Sequence, residues 1–419
     1  MQKAWWREPT RGQWISFLAA WLGWIMDAFD FTIFLLVMPQ ITKEFGVSNT
    51  AAAGTITLTL LMRLLGGLAA GSIADRWGRK LPLMISVVWF ALCDGAIAFA
   101  PSFGWVLALR TLFGFGMGAE WTSGATLAME NWPVRSRGIA SGVLQGSWAI
   151  GYLLAAVVSA AVVPIWGWRS LFLIAALPAL LVLPIRAWVP ESLEPKIAGA
   201  AARPSTLTEI MRPGMPTKLA WASLIMALGL GGYYGLTSLY PTLLKGALEQ
   251  SPGQVSTYVS LFNIGMMGGA IACGILAARR GVVLAVVLPA LLVVPVLPLY
   301  VGAYPGLLAV GALLGGVFGA DYSGVTPLLL TTLFPPQVRA RSIGLVYHVG
   351  AFAAALVPTA VAALNERGGL SLGRSIAYVT GACNLALAAA MFLRPRAAAA
   401  AVEAEGPDAA PDPAPATHH

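Results

Sequence analysis

Asp27, Asp30, Arg63, Asp94, Arg110, Glu120, Asp321 and His348 all lie inside long apolar runs of the sequence. A charged side chain at the centre of a bilayer costs about 2.5–3.5 kcal/mol on insertion scales, so each must pair, titrate or face a protein interior. Asp27 and Asp30 are three residues apart and share a helix face. Two carboxylates that close repel, which favours keeping a proton on one of them near neutral pH. The alternative is one acid in a cavity and the other satisfied by backbone or an arginine. Arg63 cannot shed its charge. Its planar fork suits a carboxylate, so it either receives an anionic substrate or forms an ion pair with Asp30 or Glu120. The two readings can coexist if the anion displaces the acid. Glu120 and Asp321 each follow Gly-Ala and precede an aromatic, Trp121 or Tyr322, that could line a site. His348, beside Tyr347, has an unperturbed pKa of about 6.5 that suits proton exchange; the plainer reading is a packed, hydrogen-bonded ring. Gln145, Asn263 and Tyr234 are uncharged groups able to orient a hydroxyl or carboxylate. Arg110 lies close enough to a span end to snorkel, with a structural or gating role, and Asp94 is expected to be peripheral.

The elements that must position these groups follow from composition. The chain has 419 residues, of which 58% are hydrophobic and 11% charged, and its mean hydropathy is +0.76. Soluble domains carry about 25% charged residues, so most of this chain is neither an ordinary soluble enzyme, a disordered segment nor a nucleic-acid-binding protein. Apolar runs of about 20 residues read as membrane-crossing helices. Twelve such runs are readable, six between 14 and 188 and six between 218 and 393. They lack the alternation of barrel strands. The expected fold is therefore all-α, with twelve transmembrane helices in two pseudo-symmetric six-helix bundles. Residues 1–188 form the first bundle, 189–217 a proline-rich linker, 218–396 the second bundle and 397–419 an Ala/Pro/acidic tail expected to be disordered.

Orientation follows from the basic residues. With the N-terminus placed in the cytoplasm, only Lys43, Arg169, Lys245, Arg367 and Arg374 fall on the far side, and Arg63 and Arg110 fall inside spans. The rest of the 26 lysines and arginines are cytoplasmic, which puts both termini there. Cys93, Cys273 and Cys383 are isolated and form neither a disulfide framework nor a metal site. No nucleotide-binding loop or metal-ligand cluster is readable, so the expectation is no cofactor and no metal, with a proton as coupling ion.

The two halves echo each other. Gly71-Ser-Ile-Ala-Asp75-Arg76-Trp-Gly78 returns as Gly274-Ile-Leu-Ala-Ala278-Arg279-Arg-Gly281, and Gly118-Ala-Glu120-Trp121 returns as Gly319-Ala-Asp321-Tyr322. Pro133-Val-Arg135-Ser-Arg137 returns as Pro336-Gln-Val-Arg339-Ala-Arg341. A register kept over three segments marks a parallel repeat, a transporter design with its site between the halves.

Gly71-x-x-x-Asp75-Arg76-x-Gly78-Arg79-Lys80 resembles the cytoplasmic loop motif of the major facilitator superfamily, and Arg110-x-x-x-Gly114-x-Gly116-x-Gly118 resembles its fourth-helix motif. The resemblance covers all twelve spans. It implies that Gly71, Asp75, Arg76, Gly78 and Arg79 form a conformational latch rather than a binding site; a solvated basic turn serving topology alone is the plainer alternative. Within the superfamily the chain is similar to sialate/lactate proton symporters. Trp21-Leu-Gly-Trp-Ile-Met-Asp27-Ala-Phe-Asp30-Phe resembles their acid-bearing first helix, and Glu120-Trp and Glu130-Asn-Trp-Pro133 resemble the sialic acid branch. Arg137 to Tyr152 and Leu239-Tyr-Pro-Thr242 resemble the lactate/pyruvate branch. There the family pattern has a His and a Gln-Asp pair where this chain has Tyr234 and Thr237-Ser238.

The resulting expectation is a multi-pass transporter, not an enzyme, in a membrane such as the bacterial inner membrane, acting as a monomer. It takes up a small organic acid anion with a proton, with lactate- or pyruvate-like acids ahead of sialic acid. Substrate binding falls to Arg63, Trp121, Gln145, Tyr234, Asn263, Tyr322 and Tyr347, and proton coupling to Asp27, Asp30, Glu120, Asp321 and His348. A multidrug proton antiporter is the rival of the same fold, and Arg63 argues against cationic cargo.

Overall fold

The computed structural model of the chain describes residues 4–177, 182–191 and 212–399. Its regular elements are helices, and there is no strand among the described residues. Helices α1 (Arg11–Phe45), α2 (Asn49–Trp77), α3 (Lys80–Ile97), α4 (Phe103–Asn131), α5 (Arg137–Trp166), α6 (Arg169–Ala175) and α7 (Val182–Trp188) come first. Helices α8 (Met215–Thr237), α9 (Pro252–Arg280), α10 (Val282–Tyr300), α11 (Leu308–Gly319), α12 (Thr326–Leu333), α13 (Arg339–Ala354), α14 (Val357–Glu366) and α15 (Leu372–Phe392) follow.

Local chemistry sets the ends. Thr10 and Ser251 open α1 and α9 with capping boxes closed by Gln13 and Gln254. Gly46 ends α1 in the left-handed region at φ 63°, where a side chain would be strained. At 35 residues, α1 is about 50 Å long, well beyond the hydrocarbon thickness.

Ten helical stretches among the described residues are long and apolar enough to cross a membrane. Two of the twelve expected spans are not among them, for different reasons. The span at 169–188 is represented by α6 and α7, with 178–181 outside the described residues. The span at 104–129 corresponds to α4, a continuous helix of 29 residues whose apolar character is diluted by Arg110, Glu120, hydroxyls and glycines. It tolerates these because every residue from Gly116 to Asn131 is buried among other helices. Most of the proposed linker and tail, 192–211 and 400–419, also lies outside the described residues.

Helices α1 to α6 pack around α4, which touches α1, α2 and α3; α8 to α15 pack as a second group, with α9 on α11, α8 on α13 and α15, and α10 on α15. The groups meet chiefly where α2 crosses α13 and α5 crosses α9. The internal repeat explains that pairing. Helices α2 and α9 have the same length of 29 residues, start 203 positions apart and both end on a glycine with positive φ, Gly78 and Gly281. The crossings are swapped by the same relation. Gly71 of α2 lies against the backbone of Ala340 and Arg341, and its counterpart Gly274 lies against Gly138 and Gly142. A Cβ at either position would meet backbone, so only glycine permits the approach. The counterparts of α4 and α5 are broken helices. α11 gives way to a 3₁₀ stretch from Asp321 to Val325 before α12, and α13 stops ahead of Pro358.

Candidate functional site

Arg63 projects from the middle of α2 into the contact region between the two groups and is 4% exposed. Its Nη2 lies 3.7 Å from Oδ2 of Asp27 on α1, which is fully buried. That separation is an ion pair without a hydrogen bond. The Arg63 Nε and Nη2 donors and both Asp27 oxygens have no hydrogen-bond partner. The guanidinium faces the rings of Trp24, at 5.8 Å, and Tyr347, at 5.4 Å, on opposite groups of helices. Nε and Nη2 are the adjacent pair with which an arginine grips a carboxylate side on. A buried arginine with these two donors unmet, beside a carboxylate that is close but not bonded, has the geometry to accept an anion.

Aromatic side chains enclose this point. Trp121 of α4 stacks on Tyr347 of α13, centroids 3.7 Å apart, joining the two groups of helices directly. The Trp121 indole N–H donates to Oε1 of Gln145 at 3.5 Å. Trp24 packs against Trp148 with centroids 4.8 Å apart. Glu120 lies against Gly23 of α1 and interacts electrostatically with Asp27 and Arg63. Tyr234 of α8 also interacts with Arg63. The structure therefore gathers Asp27, Arg63, Glu120, Trp121, Gln145, Tyr234 and Tyr347 as the sequence suggested, and adds Trp24 and Trp148.

His348 stands at the edge. Its Nε2 is 3.3 Å from the Gly118 carbonyl and its ring occupies the space above Gly67. It thus spans the α2–α4–α13 junction. Asn263 donates to Val259 O within its own helix at 2.8 Å, and Tyr322 packs on Gly229 of α8. The side chain of Asp321 lies outside the described residues.

A second ionic group lies further along α1. Arg110 Nη1 is 3.2 Å from Asp94 Oδ1, with both side chains buried, and the Arg110 guanidinium lies over Phe113 at 4.0 Å and Phe34 at 4.5 Å. Asp30 interacts with both. This corrects the expectation that Arg110 snorkels and Asp94 is peripheral. An arginine turns inward when a buried acid and two ring faces replace water as its partners. The two α1 acids differ in emphasis: Asp27 lies beside Arg63 and also within the field of Arg110 and Asp94, while Asp30 interacts with Asp94, Asp27 and Arg110.

The end of the molecule at which α2 finishes and α13 begins is closed by a third network. Asp75 pairs with Arg79 at 3.1 Å and accepts the backbone N–H groups of Ala340 and Arg341 at 3.1 and 3.0 Å. These are N-terminal amides of α13, where a carboxylate is favoured by unsatisfied donors and helix dipole together. Glu130 Oε1 bridges Arg79, at 3.0 Å, and Arg339, at 3.1 Å. Arg79 also donates to Pro336 O, and Glu191 receives the backbone N–H groups of Arg79 and Lys80. Gly78 turns the chain at φ 97° directly under Glu191. Arg76 is the exception within the motif, exposed and stacked on its neighbour Trp77. The contributions of Glu130, Glu191 and Arg339 are new to the reading. The available signal was acids held on the side of the chain where bases predominate.

A multi-helix protein with polar groups gathered between two repeat-related sets of helices, and one end bolted shut, is a membrane carrier. The chain belongs to the Major Facilitator Superfamily, whose family model matches residues 20–299. It is therefore a multi-pass membrane transporter and not an enzyme. It is 30% identical over 361 residues to the probable 4-methylmuconolactone transporter of Cupriavidus pinatubonensis, covering 83% of this chain and 82% of that one. It is 27% identical over 383 residues to the sialic acid transporter NanX of Escherichia coli, covering 91% and 94%. The structure of the proton:xylose symporter XylE bound to 6-bromo-6-deoxy-D-glucose superposes with a TM-score of 0.74 at 17% identity, covering 91% of this chain and 95% of that one.

Proposed function

We propose that this protein takes up a small organic acid anion together with a proton. The observation that carries the reading is the buried, hydrogen-bond-deficient guanidinium of Arg63 beside Asp27. Relatives named for sialic acid and 4-methylmuconolactone support an acidic, ring-shaped substrate. Arg63 takes the carboxylate and Trp24, Trp121 and Tyr347 take the ring. Lactate and pyruvate, which the sequence favoured, engage the guanidinium but present no face to these rings. The fold reading is twelve transmembrane helices in two halves, 1–188 and 218–396, joined by a cytoplasmic 189–217 segment. Both termini are cytoplasmic and the membrane is the bacterial inner membrane, with the protein acting as a monomer without cofactor. The bolted end is then the cytoplasmic end.

Coupling follows from competition for one cation. In the empty site Arg63 offsets the Asp27 carboxylate. An arriving anion takes Nε and Nη2, and Asp27, left without its counter-charge in a buried place, accepts a proton. The loaded site is then close to neutral and crosses the midplane as the halves rock. An anion without its proton leaves an unpaired charge costing on the order of several kcal/mol, which suppresses slippage. Glu120, within reach of the same field, tunes this exchange.

The test is counterflow and acid-driven accumulation of sialic acid, 4-methylmuconolactone and lactate in vesicles holding the full-length protein. Arg63→Lys keeps the charge and loses the fork. It is expected to weaken binding roughly 10- to 100-fold, the worth of about 1.5–3 kcal/mol of charged hydrogen bonding. Asp27→Asn is expected to keep counterflow and lose accumulation. Wild-type protein that moves none of the acids, and is stabilised in thermal-shift assays only by lipophilic cations, would make this a cation antiporter instead.

A further inference from the structure

Trp24 stands one turn before Asp27 on α1 and shares its face of the helix. Its ring lies 5.8 Å from the guanidinium carbon of Arg63, 6.1 Å from the ring of Trp121 and 4.8 Å from that of Trp148, and the residue is 4% exposed. The indole N–H meets no acceptor. Other indoles of the chain behave differently. Those of Trp14, Trp89, Trp121, Trp132, Trp168 and Trp221 all donate to protein oxygens, even where they are half-exposed. Among the described residues, Trp24 is the buried tryptophan whose donor is left over. An indole nitrogen can only donate, and a buried donor without an acceptor is destabilising, so buried tryptophans are normally partnered.

The surroundings do not supply the missing acceptor. Trp121 and Trp148 present rings. The acids beside Trp24 leave it alone, since both Asp27 oxygens and Oε2 of Glu120 meet no donor either. Charge narrows what an incoming acceptor can be. Arg63 is the guanidinium facing the Trp24 ring, and Arg110 is engaged by Asp94 at 3.2 Å. Glu120 lies against Gly23, the residue next to Trp24. A second carboxylate brought to the indole would therefore sit close to Asp27 and Glu120 without a cation of its own. An uncharged oxygen takes the N–H without that penalty.

We infer that Trp24 is a specificity-determining donor, which gives its N–H to an uncharged oxygen on the substrate. The cargo is then a monocarboxylate whose ring carries a carbonyl, as in a cyclic keto acid or a lactone acid. With Arg63 as the carboxylate receptor, the reading on which this assignment rests, two points of the substrate are fixed. The carboxylate lies at Arg63 and the carbonyl at Trp24. The N–H lies in the plane of the indole, so it meets a group at the rim of the substrate ring, while Trp121 and Tyr347 take the face. A ring without a carbonyl leaves the donor unmet and is bound less tightly.

Calorimetric titration of the purified full-length protein with a matched pair of acids tests this. Cyclopentylacetate and 3-oxocyclopentylacetate differ only in a ring carbonyl. The keto acid should bind about tenfold more tightly, the worth of one hydrogen bond to a buried donor. Trp24→Phe keeps a ring face and loses the N–H, so the preference should fall to within about twofold. Arg63→Lys should weaken both acids and leave the preference in place. Equal affinities in the parent would overturn the assignment, whether or not Trp24→Phe folds. A tenfold preference that survives in Trp24→Phe would overturn Trp24 as the donor. Tighter binding of 3-carboxycyclopentylacetate than of the keto acid would overturn the uncharged acceptor. A parent that binds none of the three acids, and is stabilised by lipophilic cations alone, would instead sink the organic-acid reading and the role of Trp24 with it.

Discussion

The α2–α13 and α5–α9 crossings are built from the same repeat, and the difference that reaches across them is Asp75 against Ala278. At the first, Asp75 reaches the backbone N–H groups that begin α13. At the second, Ala278 stands in the matching place, against Gly138 at the start of α5. Close glycine packing is shared by both, so packing alone brings the halves together. The acid decides something else. It makes one crossing a charged, directional contact, while at the other glycine and alanine meet backbone without an acid. A carrier that rocks between two states needs one contact that is either made or broken and another that stays in contact throughout.

Three substitutions would break or sharpen this comparison. The largest effect is expected from Glu130→Gln. Its Oε1 serves both Arg79 and Arg339; Arg79 keeps Asp75, but the change takes one of its two counter-charges and the acid beside Arg339, costing about 3–5 kcal/mol. A clear fall in the thermal unfolding midpoint of the purified protein is the readout; an unchanged midpoint would mean the bridge contributes nothing. Next comes Asp75→Ala, which removes two charge-assisted bonds across the crossing. A loss of about 1.5–3 kcal/mol shifts the population towards the state open at the terminal end by roughly 10- to 100-fold. Distances between spin labels at the terminal ends of α2 and α13 should lengthen, and labels on α5 and α9 should move less. Equal movement at both crossings would remove the distinction. The smallest effect is expected from Ala278→Asp, which offers a carboxylate to the N-terminus of α5. A gain of about 0.3–1 kcal/mol from the helix dipole should slow opening about two- to fivefold in the same measurement.

Much of this was legible in the sequence because repeats and motifs are local. The register of Gly71–Gly78 against Gly274–Gly281 marked the internal repeat, and Asp75 and Arg79 were assigned to one latch by resemblance. Arg63 was readable because a guanidinium cannot neutralise itself. The rest depended on who faces whom. Asp27 and Asp30 share a helix face and repel each other as that pattern suggested, but nothing local in the sequence shows that Asp27 lies beside Arg63 while Asp30 meets Asp94 and Arg110. Arg110 looked free to reach the surface because Asp94, Phe34 and Phe113 belong to other parts of the sequence. Glu130 stood out only as part of a segment resembling the sialic acid branch, because its partner Arg339 is 209 positions away.

The pairing of Asp94 with Arg110 also bears on how the chain enters the membrane during synthesis. α4 carries Arg110 and Glu120, each a penalty on insertion scales, and its mean apolarity is too low for hydropathy to commit it to lipid by itself. α3 and α4 are consecutive, joined by the short segment from Ala98 to Ser102. As a hairpin they bring acid and base together and cancel both charges before either faces hydrocarbon. That pairing favours entry of α3 and α4 as one unit, and a substitution at Asp94 is expected to lower the yield of inserted protein.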